Sequence, residues 1–216
     1  MNNLLKDYFN IRNPLITIGN ITIQVIGDPH LGRVFRHGIA KNRLGYREEH
    51  QMETFRSLLY TKADYVIIVG DLFDKFQINT TVFHSCITIL TDAATIQSNK
   101  KFIILNGNHD LAKDSSIIGC FQLLDTFIKN NTYLSNIQVI STKCDDNLLL
   151  LEEEGVALGL YHYNPFLSID QEIESITIDT NKYPIRIAFG HWETIDFGSD
   201  VFINRSVPTI ISSNFN

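Results

Sequence analysis

Four short strings, each closing an apolar run, constrain this chain more than anything else in it. They are GDPHLG at 27–32, GDLFDK at 70–75, GNHD at 107–110 and GHWE at 190–193. The runs before them (ITIQVI, DYVIIV, KFIILN and IRIAF) read as strands, and helical patterns lie between. Strands alternating with helices predict a layered α/β fold with the strands' carboxyl ends side by side. Side chains just past those ends then converge, and here they are Asp28, His30, Asp71, Asn108 and His191. The glycine opening each string (Gly27, Gly70, Gly107, Gly190) is expected to let the chain turn sharply out of its strand.

The remaining segments fit one domain. Residues 15–27 alternate about a Gly-Asn pair, which predicts a hairpin whose second strand ends at Asp28. Residues 47–60, with apolar Met52, Phe55, Leu58 and Leu59, predict a helix, and 79–97 another, capped by Asn79 or Thr80. A third helix is expected at 115–129 and a weaker one at 169–178. Strands are expected at 64–69, 101–106, 137–140, 148–151, 155–161 and 185–189. Glu152–Glu154 reads as a solvated hairpin turn, and Phe55, Phe73 and Phe83 as core. Residues 1–14 read as an N-terminal extension and 15–216 as a single domain without repeats or linkers.

The converging residue types suit phosphoester chemistry. Two divalent ions about 3.5–4 Å apart clamp a phosphate, activate a water and stabilise the leaving oxygen. One carboxylate has to bridge them, and Asp71 is placed for that. Imidazole and carboxylate donors suit Mn, Fe or Zn, and there is no thiolate cluster to demand zinc.

Composition excludes other classes. The 216 residues suffice for a real core, and 44% hydrophobic with 19% charged residues is ordinary for a globular chain. No apolar run approaches about 18 residues, so no membrane span is expected. Lys6 and Asp7 interrupt any signal-peptide core. Cys86, Cys120 and Cys144 are scattered, which suits buried thiols in a reducing cytoplasm. The net charge of −6 argues against indiscriminate nucleic-acid binding. Residues 33–47 run the other way: Arg33, Arg36, Lys41, Arg43 and Arg47 with His37 and no acid, directly after the first string. This is either a phosphate-tracking, DNA-binding loop or a solvated one.

D-x-H, GD-x-x-D and GNHD over residues 23–110 resemble the calcineurin-like metallophosphoesterase superfamily. With GHWE the resemblance extends over 23–197 and is to the SbcD/Mre-type DNA repair nucleases. It implies a four-layer α-β-β-α sandwich, two divalent metal ions (Mn²⁺, or Mg²⁺), and an SbcC-type coiled-coil ATPase as partner. Asp28 and His30 would ligate the first metal, Asp71 would bridge, and Asn108 and His191 would ligate the second. His109 would be the general acid that protonates the leaving oxygen, a role suited to imidazole. Asp74 would orient His109, and Asp110 would cap the turn.

The chain also departs from that pattern. Relatives carry a GHxH motif whose histidines complete the two metal shells, and here the histidines stand only at 30, 37, 50, 84, 109, 162 and 191. The expectation is a domain incomplete at its C-terminus, short of its last strands, with weak metal binding until a second chain supplies GHxH. His162, in YHYNP at a strand end, is the remaining candidate; His50 and His84 read as helix residues without a role. Two rival readings remain: a phosphoesterase for nucleotides or phosphoproteins, and a scaffold that no longer catalyses.

Overall fold

The structure, a computed structural model, describes residues 15–35, 37, 40–112, 114, 116–141, 147–164, 178–191, 193–195 and 209–211. The N-terminal extension, Arg36, Cys144 and nearly all of the helix expected at 169–178 lie outside the described residues.

The first sheet runs β1 (Leu15–Ile18), β2 (Ile21–Ile26), β3 (Tyr65–Val69), β4 (Lys101–Leu105) and β5 (Ile137–Ile140), in that spatial order. β1 and β2 form the antiparallel hairpin about Gly19-Asn20, and β2 to β5 are all parallel. The parallel connections are α1 (Tyr46–Leu59), α2 (Thr80–Ile96) and α3 (Cys120–Lys129). Crossovers of one hand that always step the same way put every helix on one face of the sheet. The opposite face is then left bare and needs a second cover.

Side-chain alternation confirms this division. Val66, Ile68, Phe102 and Ile104 pack under the helices with Leu90 and Phe121. Ile67, Ile103, Leu105 and Ile140 point the other way. They meet Leu158 and Leu160 of a second sheet, ordered β6 (Leu148–Leu151), β7 (Val156–Tyr161), β8 (Ile185–Gly190). Burial on both faces explains why β3 and β4 read as unbroken apolar runs. β6 and β7 are an antiparallel hairpin turning through Glu152–Gly155, where Glu152 pairs with Lys182 at 2.9 Å. β7 and β8 are parallel, with Tyr161 opposite Gly190, so their carboxyl ends finish together. Beyond them β9 (Glu193–Ile195) and β10 (Thr209–Ile211) form a short parallel pair. The result is a mixed α/β sandwich, as expected; of the four α-β-β-α layers, the described residues show helices, sheet and sheet.

α2 starts as read, with the Asn79 side chain accepting the Thr81 N–H at 2.8 Å. α3 starts later than the 115 expected. Asp114 takes both the N–H and the hydroxyl of Ser116, a local turn that competes with helix. The Cys120 N–H donates to the Phe76 carbonyl at 2.7 Å, so the loop docks before the helix begins. Among the described residues, no helix is long and apolar enough to cross a membrane.

Candidate metal centre

The strings at the ends of β2 and β3 are laced together beyond their strands. The His30 N–H donates to the Asp71 carbonyl and the Leu31 N–H to that of Leu72, each at 2.9 Å. The Asp74 N–H returns to the Leu31 carbonyl at 3.0 Å. Gln51 on α1 holds the first string from the other side, its amide nitrogen 2.8 Å from the Pro29 carbonyl and 3.0 Å from that of His30. Nothing in the sequence marked Gln51 except its place one helical turn before buried Phe55.

Asp28, His30 and Asp71 all have left-handed backbone, with φ of 39°, 45° and 47°, and they are the only non-glycine residues of this kind among those described. Such conformations cost about 1–3 kcal/mol each and persist where the surroundings enforce them. The turn thus falls on the functional residues themselves more than on the preceding glycines. Gly27 has open space around it, so the reason expected for that glycine is absent. Two glycines are required. Gly70, at φ 104°, would drive a Cβ into the His191 ring, and a Cβ on Gly107 would collide with the carboxylate and main-chain nitrogen of Asp71.

Asp71 stands at the middle, 4% exposed. One group of donor atoms joins it to His30 and His109, another to Asp28 and His191, each gathered within 4.8 Å. His30 Nε2 lies 3.6 Å and His109 Nε2 4.0 Å from Asp71 Oδ2. His191 Nε2 lies 3.6 Å from Asp71 Oδ1 and 2.8 Å from Asn108 Oδ1. His191 Nδ1 lies 3.3 Å from Asp28 Oδ1 and 3.2 Å from the Val69 carbonyl. The two oxygens of Asp71 therefore face different groups. Asp28 falls with His191, whereas the resemblance pairs it with His30.

The donor chemistry fits cations. Oxygen and nitrogen lone pairs converge, and among the described residues no lysine or arginine is ion-paired with them. Both ring nitrogens of His191 face only acceptors. Burial pushes this histidine down, but its hydrogen bond to Asp28 and the charges of Asp71 and Asp28 outweigh that and raise it. Asp28 is lowered, chiefly by the same His191 contact. The oxygens that favour a proton on this ring are those a divalent ion would use in its place.

Asp74 acts differently from the expectation. Its main-chain carbonyl, not its carboxylate, meets His109 Nδ1, at 2.7 Å, while its carboxylate lies 3.8 Å from His30 Nδ1. The carbonyl is only an acceptor, so Nδ1 carries the hydrogen and Nε2 faces the centre. Asp110 is wholly buried and accepts the N–H groups of Gly107 at 2.8 Å, Phe73 at 2.9 Å and Leu72 at 3.2 Å. Burial raises it to about 7 against the pull of those bonds. It clamps the Asp71 and Asn108 strings to each other, more than the local cap expected of it.

His162 ends β7 beside His191, buried at 6% exposure, and neither ring nitrogen has a partner. Burial lowers it to about 4, and it joins neither donor group. His50 and His84 lie exposed on helices, away from both groups. Arg33, Lys41 and Arg43 are exposed beyond the first string, the last two in a short helical turn.

The family model for calcineurin-like phosphoesterases matches residues 21–210. The chain belongs to that family. The match covers β2 to β9 and all four strings, and the two donor groups that could hold metal ions lie within it. No curated protein matches the chain.

Proposed function

We propose that this phosphoesterase is a DNA nuclease subunit of the SbcD/Mre type, working in recombination and double-strand-break repair. The observation that carries the reading is Asp71, whose two carboxylate oxygens are shared between two donor groups. GHWE, which also occurs in the recombination endonuclease subunits of T-even-type phages, and the acid-free basic segment 33–47 favour DNA over other phosphoesters.

His30 and Asp71 would hold one divalent ion, Mn²⁺ by preference, and Asp28, Asn108 and His191 with Asp71 the other. When bound, the pair supplies Lewis acidity at the phosphate and an activated water. His109 is the most exposed histidine of the centre, with 44% of its side chain open, so it can reach a substrate and give the leaving oxygen its proton. The Asp74 carbonyl accepts from Nδ1, so the proton given to the leaving oxygen is the second one, carried on Nε2 of the imidazolium, which is left neutral. Asp28 and Asp71 repel any anion until the cations are in place. An SbcC-type ATPase is the partner this reading names, and a second chain bearing GHxH would complete the shells.

A substrate panel tests the reading. Mn²⁺-dependent cleavage of a DNA oligonucleotide should exceed turnover of a nucleotide monoester or a phosphopeptide. Preference for either of the latter transfers the chain to the nucleotide or phosphoprotein phosphoesterases. Loss of all three leaves a scaffold.

A further inference from the structure

Next to the first string, two arginines converge on one ring. The guanidinium of Arg33 lies 5.9 Å, and that of Arg47 5.6 Å, from the centroid of Phe35. The ring is anchored, because the Phe35 N–H donates to Glu48 Oε1 at 2.9 Å. Among the described residues, neither arginine is in an ion pair. Glu48 uses one oxygen on the Phe35 N–H, and its second oxygen is buried without a hydrogen-bond partner. Two like charges are thus held against one aromatic ring, neither of them in an ion pair, in a chain whose net charge is −6. Each cation–π contact is worth only about 0.5–1 kcal/mol at such exposure, and a phosphate offers a guanidinium fork a stronger, bidentate partner.

The place is as informative as the charge. Arg47 and Gln51 lie one helical turn apart on α1, and Gln51 holds the carbonyl of His30. The arginine pair therefore sits one turn of helix from the metal centre, outside both donor groups.

We infer that Arg33, Phe35 and Arg47 form a second phosphate subsite, which takes a backbone phosphate adjacent to the one being cleaved. The inference rests on the nuclease reading and narrows it. A substrate with a single phosphate fills the centre alone, whereas a polynucleotide fills both places. Selection of a chain of phosphodiesters over a nucleotide or a phosphoprotein then lies in these three residues.

The test is fluorescence anisotropy of a labelled phosphorothioate DNA oligonucleotide with the full chain in Mn²⁺, so that the cations are in place and the probe resists cleavage. Arg47→Gln should weaken binding about tenfold and reduce the salt slope by about one. Phe35→Leu, which keeps the apolar contact but removes the π face, should weaken it in the same direction. Arg56→Gln removes a charge from the same helix outside the subsite and should bind as wild type. Arg47→Gln is a surface change, so it answers the question even if Phe35→Leu folds poorly. Equal binding by Arg47→Gln and Arg56→Gln overturns the inference, as does a wild-type chain that does not bind the oligonucleotide. Cleavage of the unmodified oligonucleotide in Mn²⁺ is read separately: Arg47-dependent binding without cleavage keeps the subsite and removes the nuclease reading.

Discussion

At the scale of single residues, three side chains of the centre, Asp28, His30 and Asp71, are held in left-handed backbone that such residues rarely adopt. Asp71→Asn removes the shared charge between two cations and should abolish metal binding and hydrolysis together. His109→Ala should keep the metal and lose turnover by about 10²–10⁴-fold if the imidazole supplies the proton. Bound Mn²⁺ and phosphodiester cleavage, measured on both variants, check this; a metal-free His109→Ala beside a metal-loaded Asp71→Asn reverses the roles. Gly107→Ala puts a methyl against the Asp71 carboxylate and should cost metal affinity without replacing any donor. Mn²⁺ titration of that variant measures it, and wild-type affinity would contradict the packing described. The identities of the converging residues were legible because acid, histidine and asparagine at strand ends are rare and specific. What was not legible was the left-handed backbone at Asp28, His30 and Asp71, which the main-chain lacing between two distant strings enforces. The Asp74 carbonyl on His109 was hidden for the same reason, since a carbonyl carries no mark in the sequence.

At the scale of elements, parallel strands deliver their carboxyl ends to one edge, and each expected strand is present because its apolar run is buried on both faces or alternates cleanly. The start of α3 was misread because Asp114 and the Phe76 carbonyl outcompete helical bonds that periodicity alone suggests. Ile67 is fully buried between the sheets, and Ile67→Ala should cost about 2–5 kcal/mol in a denaturant melt. His162 makes the sharper prediction. Its imidazole is lowered to about 4 from 6.5, so between those values the unfolded chain binds a proton that the folded chain refuses. Its contribution to stability is therefore present above pH 6.5 and is lost as pH falls toward 4. His162→Phe removes two unpartnered buried nitrogens, so it should flatten that part of the pH–stability curve and leave Mn²⁺ affinity as it was. If the variant loses Mn²⁺, His162 is a ligand after all.

At the scale of the whole molecule, an acidic chain keeps its acid-free cationic segment beside a centre that itself demands cations. On the proposed reading, metal and substrate would neutralise neighbouring regions of opposite sign. Ions that bind only the folded chain should raise its melting temperature, by an amount equivalent to about 2.7 kcal/mol per site at a hundred times the dissociation constant. The central claim is that Asp71 is shared by two ions in one phosphoesterase centre. The most direct measurement is a Mn²⁺ titration that counts ions per chain by electron paramagnetic resonance, run on wild type and on Asp71→Asn. Two spin-coupled ions per wild-type chain, and loss of the coupled signal in Asp71→Asn, are the predicted result. A single uncoupled ion in the wild type, or an unaltered coupled pair in Asp71→Asn, would contradict it.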